Sequence, residues 1–423
     1  MLPPRSPLRS NPQRFDTEPG RPSGRPGFVV PDVTKPLWEV RSPFPGLVGE
    51  FAELAYSRST HRGVYSGSDA GRGPRPKRGE DMRLFGVGAG ASNDRAQEGV
   101  AEHPSAPIPI VGPGIGEGIR VPLGETGFET FPLMLGAAEF GWNVDLETSH
   151  GILDRYVEFG GNAIHTADGF SGGRSEHIIG QWLQSRGQRE RSVVSVRIGA
   201  HADNPGLGSV NLVRAVEGSL TRLGVERIDV LYLDATLDRT TNLEDTLATV
   251  EWMVDAGKIG ALGAFGFAPE RLVEARILAS AGYPRIEVID SPYNLVRRQP
   301  FEGDLRLVAG AQSLAVTPSH ALEHGFLSGR HRSKALASKG VRGEQLRGHL
   351  NRRGTKILRA LDQVATELEV PVAAVSIAWL LAQRTVAAPI VNAFAAEHVD
   401  ELMQGAGVTL SRAQVAELTR AGN

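Results

Sequence analysis

From Val121 onward, short apolar runs alternate with longer segments whose apolar residues recur every three or four positions. The runs are apolar on both faces, as in strands covered on both sides, and the longer segments have the helical period. The predicted strands are Leu133–Ala138, Asn162–His165, Val193–Ile198, Val230–Leu233, Ile259–Phe265, Ile286–Ile289, Leu314–Thr317 and Val386–Val391. The predicted helices are Leu146–Phe159, Ser175–Gln184, Ser209–Leu223, Leu243–Ala256, Pro269–Ala281, Leu305–Ala311, Thr355–Leu368, Val372–Gln383 and Ser411–Arg420. Eight such strands with intervening helices predict an α/β protein, a (β/α)8 TIM barrel.

The chain before the barrel has a different composition. Val121–Phe128 predicts a β-hairpin that turns near Glu125 to Gly127, and seventeen of the 27 prolines lie between Pro3 and Pro113. A segment rich in Pro, Gly and Arg buries little apolar surface, so we expect residues 1–117 to form a largely disordered extension and 118–423 the barrel. Within the extension, Leu47–Ala55 has one apolar helical face, which fits either a short docking helix or a transient amphipathic turn.

Bulk composition narrows the expected partners. The 423-residue chain has 40% hydrophobic residues, a net charge of -2 and no cysteine. A charge so close to zero gives no reason to expect binding to nucleic acid or to an anionic membrane. No apolar run reaches the roughly 18 residues of a membrane span, so we expect a soluble cytoplasmic protein. The lack of cysteine excludes thiolate nucleophiles and Cys-ligated metals.

Polar residues follow the second predicted strand, in His165-Thr-Ala-Asp-Gly-Phe170. At the carboxyl end of a barrel strand such side chains usually face the ligand. This stretch resembles the Asp-Thr-Ala-x-x-Tyr signature of the aldo-keto reductases, in their bacterial and channel-subunit-like branch. Further stretches are similar to that family, namely Ser219–Leu233, Gly257–Gly263, His324–Arg330, Ala378–Leu381 and Ala388–Ile390.

The resemblance implies hydride transfer from NADPH to an aldehyde or ketone. In the family a Tyr protonates the alkoxide, a Lys paired with an Asp lowers the pKa of that Tyr, and a His orients the carbonyl. The corresponding residues here are Phe170 for the Tyr, Arg197 for the Lys, His165 for the Asp and Asp234 for the His. All four positions are substituted. A positioned general acid is worth roughly 10²- to 10⁴-fold, so we expect severely impaired reduction.

The resemblance also implies a cofactor site with substituted contacts. Phe265, Gly266 and Asp290 replace the residues that hold the carboxamide, and Ser319 replaces the aromatic that stacks on the nicotinamide. Lost hydrogen bonds of about 1 kcal/mol each, and about 1.5–3 for a charged one, would weaken NADP(H) binding roughly a thousandfold. The other positions assigned to the cofactor are His320, Leu322, Gly325, Leu327, Ser328, Gly329, Arg330 and Glu401, of which the glycine-containing loop could still hold a phosphate.

The charged residues of the barrel mouth allow several interpretations. One is an ion-pair network left after loss of catalysis, with His165 paired to Asp234 and Arg197 to Asp290. A second is a rebuilt, non-redox His–Asp acid–base site. A third is a metal held by two His and two Asp, although no metal-binding spacing supports it. A fourth is a weak reductase that uses Tyr232 as its acid, although we expect Tyr232 to point outward to the helices.

From these observations we expect an aldo-keto reductase-like barrel that has lost standard carbonyl reduction and serves in ligand sensing or as a scaffold. A small molecule at the mouth and a protein bound through the extension are the expected partners. The alternatives are an NAD(P)H-dependent oxidoreductase with an altered site and the non-redox enzyme. No metal is expected.

Overall fold

The computed structural model describes residues 119–238, 240–333 and 342–423. Its main sheet has eight strands, and every neighbouring pair in it is parallel, in the order β10-β3-β4-β5-β6-β7-β8-β9. These strands are β3 Met134–Gly136, β4 Ala163–Ala167, β5 Val193–Ile198, β6 Ile228–Asp234, β7 Ile259–Phe265, β8 Ile286–Pro292, β9 Ala315–Ser319 and β10 Ile390–Asn392. The predicted barrel is therefore confirmed, and two of its strands have the predicted bounds.

The sheet closes between its first and last strands. In β9 the N–H of Val316 donates to the carbonyl of Thr385 at 3.0 Å. The N–H of Ala387 in turn donates to the carbonyl of Val316 at 2.9 Å. These two bonds join β9 to the residues just before β10. The predicted strand Val386–Val391 covers this segment, but regular pairing with β3 begins only at Ile390.

Eleven α-helices lie within the described ranges. They are α1 Leu146–Glu158, α2 Arg174–Arg186, α3 Ser209–Leu223, α4 Leu243–Asp255, α5 Pro269–Ser280, α6 Asp304–Ala311, α7 Gly343–His349, α8 Arg352–Leu368, α9 Val372–Leu381, α10 Ala396–Gln404 and α11 Arg412–Ala421. The nine predicted helices are present, with ends shifted by at most three residues. The sequence analysis missed α7, which has seven residues, and α10, which has nine.

The predicted hairpin is also present. Its strands, β1 Val121–Pro122 and β2 Glu129–Thr130, pair antiparallel. Between them Leu123 is fully buried and packs with barrel-interior residues that include Val230, Val288 and Tyr232. The hairpin therefore contributes to the interior core of the barrel. The extension, with its candidate helix at Leu47–Ala55, lies outside the described residues.

Tyr232 corrects one expectation, because its side chain points into the barrel. Residues two apart on a strand share a face, so Tyr232 and Asp234 point the same way, and the outward orientation given to Tyr232 above was wrong. Its ring is fully buried and lies 5.2 Å from the His165 ring, edge to face. Tyr232 is thus part of the layer that supports the mouth.

Tyr156 fastens α1 to two strands of the barrel. Its buried hydroxyl donates to the carbonyl of Leu133 at 2.7 Å, lies 3.0 Å from the carbonyl of Ala163, and accepts from the N–H of Ala163 at 3.1 Å. The ring lies against Gly161, where a Cβ atom would come within 2.3 Å of it. Gly161 therefore leaves the space that the ring needs.

No single helix in the described ranges is long and apolar enough to cross a membrane. Only together would helices α8 and α9 be long and apolar enough, and they are bent by 97° relative to each other. The residues of α9 are mostly apolar because the helix is part of the protein core, with Ala373 to Leu380 all buried.

We predict that Tyr156→Phe lowers the free energy of unfolding by about 1–3 kcal/mol, because buried backbone groups lose their partner. The matched control is Tyr283→Phe, whose hydroxyl bonds Glu244 at the surface and should cost no more than about 0.5 kcal/mol. Denaturant unfolding measures both. Equal losses in the two variants would contradict this account of Tyr156.

Candidate active site at the barrel mouth

The register of the sheet gathers the polar side chains at one end of the barrel. Ala167 of β4 lies opposite Arg197 of β5, Asp234 of β6 opposite Phe265 of β7, and Phe265 opposite Asp290 of β8. All of these residues lie in the last third of their strands, at the carboxyl ends. In barrels with parallel strands this face carries the ligand site. The sequence-predicted positions on these strands are therefore brought together.

Arg197 lies at the centre of this group. Its Nε is 3.3 Å from the Oδ2 of Asp234, and its NH1 is 3.7 Å from the Oδ2 of Asp290. Its guanidinium carbon lies 4.2 Å from the ring centre of Phe265 and 5.5 Å from that of Phe170. Two carboxylates and two aromatic rings thus hold one cation, and 18% of the side chain remains exposed. The predicted Arg197–Asp290 pair is confirmed.

His165 does not form the predicted pair with Asp234. Its Nδ1 lies 3.0 Å from the hydroxyl of Ser195, which itself donates to the carbonyl of Ile164 at 3.2 Å. The direction of the bond between Nδ1 and Ser195 is set by the tautomer of the ring. Burial, reinforced by Arg197, lowers the pKa of His165 to about 3. The ring is therefore neutral near pH 7, and no contact supports a His165–Asp234 dyad.

The two acids of the mouth differ in their surroundings. The Oδ1 of Asp234 accepts from the backbone N–H of Thr236 at 2.9 Å and from its hydroxyl at 2.5 Å. Asp290 accepts one bond, from the N–H of Ser319 at 3.2 Å, and its buried Oδ2 has no hydrogen-bond partner among the described residues. Burial raises the pKa of Asp290 to about 6, although Arg197 and Ser319 oppose the rise.

Phe170 occupies the position at which the resemblance expects the tyrosine acid. It begins a 3-10 turn, Phe170–Gly173, directly after β4, and its ring is half-buried against Arg197. A phenyl ring has no proton to donate. The nearby Tyr232 does have one, but its hydroxyl is 3.1 Å from Thr317 Oγ1, which donates to the carbonyl of Ile289 at 3.3 Å. The proton of Tyr232 is therefore engaged with Thr317, and burial raises its pKa above the ordinary value.

The expected cofactor positions form contacts with one another. Arg330 and Glu401 make an ion pair at 2.7 Å. In the loop after β9, the Ser328 hydroxyl donates to the carbonyl of Gly325 at 2.7 Å, and Ser319 keeps a buried hydroxyl with no partner among the described residues. Gly329 has a φ of 72°, which favours glycine. Leu327 is buried and Leu322 half-buried, so both serve as packing for this loop.

A polar cluster in the same loop was missed by the sequence analysis. Glu323 is 1% exposed and accepts from Arg297 at 2.6 Å and from Asn294 at 2.6 Å, while the His349 ring lies 3.2 Å away. Burial alone would raise the pKa of Glu323, but the bonds from Arg297 and Asn294 hold it below its usual value. Its φ of 44° is unusual for a non-glycine residue. No local pattern predicts partners so distant in sequence.

The two histidines of this loop lie side by side. The rings of His320 and His324 are 5.1 Å apart, and both residues have positive φ angles, 55° and 57°. Burial, with His324 and Arg297 nearby, lowers the pKa of His320 to about 4. His324 also contacts Arg342 at 3.0 Å, and Arg342 pairs with the buried Glu139. No group of three or more possible metal ligands gathers in the part of the chain described.

Asp168 is a further buried acid beside the mouth. It follows β4, is 2% exposed, and its Oδ2 has no hydrogen-bond partner within the described ranges. The nearby Glu176 is fully buried and bound by Arg222 at 2.6 Å. Burial, together with the charge of Glu176, raises the pKa of Asp168 to about 6.

The fold is a parallel (β/α)8 barrel whose polar residues gather at the carboxyl ends of the strands. Residues 132–423 match the sequence profile described as the Aldo/keto reductase family. The chain therefore belongs to the aldo/keto reductase family, and the resemblance noted in the sequence is confirmed.

Several curated relatives are similar over most of their length. The Aldo-keto reductase ausK of Aspergillus calidoustus is 30% identical over 323 residues, covering 70% of this chain and 80% of the relative. A Probable voltage-gated potassium channel subunit beta of Oryza sativa subsp. japonica is 27% identical over 306 residues, covering 68% and 90%. The Norsolorinic acid reductase of Aspergillus flavus is 27% identical over 318 residues, covering 71% and 79%.

We predict that Asp168→Asn stabilises the protein at neutral pH. A carboxyl group whose folded pKa is raised contributes stability that is complete below its unfolded pKa, about 3.9. That stability is lost as the pH rises through about 6. Asn cannot ionise, so the variant should exceed the wild type by up to about 3 kcal/mol near pH 7, with the gap closing in acid.

Unfolding of both proteins across this pH range tests the prediction. Asp203→Asn is the control, because the Asp203 side chain is 85% exposed and should show no such dependence. A loss of stability at neutral pH in Asp168→Asn would show that the ionised carboxylate has a stabilising partner.

Proposed function

We propose that this chain is a ligand-binding member of the aldo/keto reductase family that does not perform standard carbonyl reduction. One observation carries the proposal: Phe170 stands where the family's proton donor is expected, and its ring can donate none. A reductase must protonate the alkoxide that hydride transfer creates, and a positioned acid is worth roughly 10²- to 10⁴-fold. Without a positioned acid, no group delivers the proton that the alkoxide needs after hydride transfer.

The surroundings of Phe170 support the proposal. Arg197, in the place of the family's lysine, lies between Asp234 and Asp290 and faces a ring with no hydroxyl to activate. His165, in the place of the family's aspartate, is a neutral hydrogen-bonding group. Among the charged residues beside Arg197, Asp290 could act as an acid, but it is protonated only below its pKa of about 6.

For the cofactor we propose weakened binding of NADP(H). The loop from Gly325 to Gly329 retains the glycines that allow a phosphate close to the backbone. Arg330 and Glu401, which the resemblance assigns to the cofactor, are paired with each other, so binding would first have to break that ion pair. This competition favours the free protein.

A scaffold role in the cytoplasm, with the extension contacting a protein, is part of the same proposal. One relative is named as a potassium channel subunit beta, which is a protein-associated function. That name supports only the general idea that a barrel of this family acts as a subunit.

A second candidate is an NAD(P)H-dependent oxidoreductase in which Tyr232 is the acid. Two observations favour it: relatives named as reductases, and the position of Tyr232 inside the barrel, 5.2 Å from His165. For this role the Tyr232 hydroxyl would have to leave Thr317. The candidate predicts that any NADPH oxidation disappears in Tyr232→Phe but persists in Tyr293→Phe, whose hydroxyl bonds Glu302 instead.

The main experiment measures NADPH oxidation by the purified protein with a panel of aldehydes and ketones. We expect no turnover above the uncatalysed background, and we expect weak NADPH binding by tryptophan fluorescence. Turnover in the ordinary enzymatic range of about 1–10³ s⁻¹ would refute the proposal.

We predict that restoring the tyrosine alone does not restore reduction, because Phe170→Tyr would still face Arg197 held by two carboxylates. The fourfold variant His165→Asp, Phe170→Tyr, Arg197→Lys, Asp234→His should raise the rate by roughly 10²-fold or more. Phe394→Tyr is the control, since Phe394 is 43% exposed. Full activity in Phe170→Tyr alone would show that Arg197 already replaces the lysine.

A further inference from the structure

The guanidinium of Arg197 has hydrogen-bonding capacity that the protein leaves unused. Its Nε is buried without a hydrogen-bond partner among the described residues, although Asp234 lies 3.3 Å away. Its NH1 is 3.7 Å from Asp290, which is too long for a hydrogen bond. A guanidinium has five N–H donors in a planar fork, and buried donors are normally satisfied. The two acids thus neutralise the charge of Arg197 but leave its directional bonds unmade.

The rings beside Arg197 hold it in a defined position. Phe265 lies 4.2 Å from the guanidinium carbon and Phe170 lies 5.5 Å from it. Aromatic contacts of this kind stabilise a guanidinium through its face and leave its edge free for hydrogen bonds. Since Nε is buried, the 18% of the side chain that is exposed leaves the terminal nitrogens NH1 and NH2 as the donors that a ligand can reach. Phe170 thus supplies one of the two rings that support the guanidinium.

We propose that Arg197 anchors the carboxylate of a small organic acid whose apolar body lies against Phe170 and Phe265. A carboxylate matches the fork of a guanidinium with two parallel hydrogen bonds. A monoanion fits better than a phosphate, since Asp234 and Asp290 would repel a second negative charge. This inference rests on the proposed function, for which it names the ligand class.

The two acids decide when such a ligand binds. Asp234 accepts two hydrogen bonds from Thr236, so one of its oxygens is already occupied. Asp290 has an unpartnered Oδ2, and the groups that face it are Arg197 from β5, Asp234 from β6 and the Ser319 N–H from β9. A bound carboxylate would therefore favour protonation of Asp290. Affinity should rise as the pH falls from neutrality through the Asp290 pKa of about 6.

The experiment is titration calorimetry of the full chain with benzoate, benzamide and benzylamine. These probes share one ring and differ in charge. We expect benzoate to bind, more tightly in mild acid, and we expect the other two to bind at least about tenfold more weakly. Equal binding of benzamide would overturn the carboxylate assignment. Preferential binding of benzylamine would overturn it as well, because the two acids would then dominate the mouth.

Variants separate a binding role from a structural one. Arg197→Gln should weaken benzoate at least about tenfold, and Arg197→Lys should also weaken it because the planar fork is lost. Arg186→Gln is the control, because Arg186 lies at the end of α2 and pairs with Asp154 of α1. Unchanged affinity in Arg197→Gln would refute the proposal.

Asp290→Asn gives the sharpest test, because it predicts a gain. Removing a like charge should strengthen benzoate binding at neutral pH by roughly tenfold and abolish its pH dependence. Misfolding could not produce that result. An unchanged or weaker affinity would refute the role of Asp290.

The failure of this inference can be told apart from the failure of the proposed function. If benzoate does not bind and NADPH oxidation is also absent, this inference fails and the proposed function remains. NADPH turnover at enzymatic rates would refute the proposed function separately.

Discussion

One cation between two carboxylates determines the chemistry of this barrel mouth. Arg197 lies beside Asp234 and Asp290, which are only 2% and 3% exposed, and buried carboxyl groups need such a partner. Burial lowers the pKa of the neighbouring His165, and the charge of Arg197 reinforces that effect, while the same charge opposes the rise that burial gives to the pKa of Asp290. The protonation states of Asp290 and His165 therefore both depend in part on one guanidinium. A change at Arg197 would alter the whole mouth. The replacement of the family's lysine by Arg197 therefore has larger consequences than the retained positive charge suggests.

The barrel itself could be predicted because its signals are local and repeated. Strands such as Val193–Ile198 and Ile259–Phe265 are short and mostly apolar, and helices such as Ser209–Leu223 have a clear period and are flanked by glycines. The set of mouth residues was also predictable, since carboxyl ends of parallel strands meet at one face. Pairing within that set was not. His165 was expected to bond Asp234, but it bonds Ser195, because the choice depends on side-chain distances of about an ångström that no pattern of residues encodes.

The cofactor side shows a second limit of sequence reasoning. Comparing positions with the family pattern revealed which contacts were substituted, and so predicted a loss. It could not reveal that Arg330 and Glu401 bind each other, or that Glu323 recruits Arg297, Asn294 and His349. Such replacement contacts arise because a buried charge that loses one partner needs another. Ion pairs formed by its own residues therefore connect the loop after β9 to neighbouring segments of the barrel.

The same reasoning distinguishes Tyr232 from a catalytic acid. Its side chain lies in the barrel layer below the mouth, where burial disfavours the phenolate, and its proton is directed at Thr317. A catalytic tyrosine needs the opposite environment, one that stabilises the anion left after proton transfer. Arg197 could provide such stabilisation, but it is held by the acids above. Position inside the barrel is therefore insufficient for catalysis, because the electrostatic partner that would activate the hydroxyl is committed to Asp234 and Asp290.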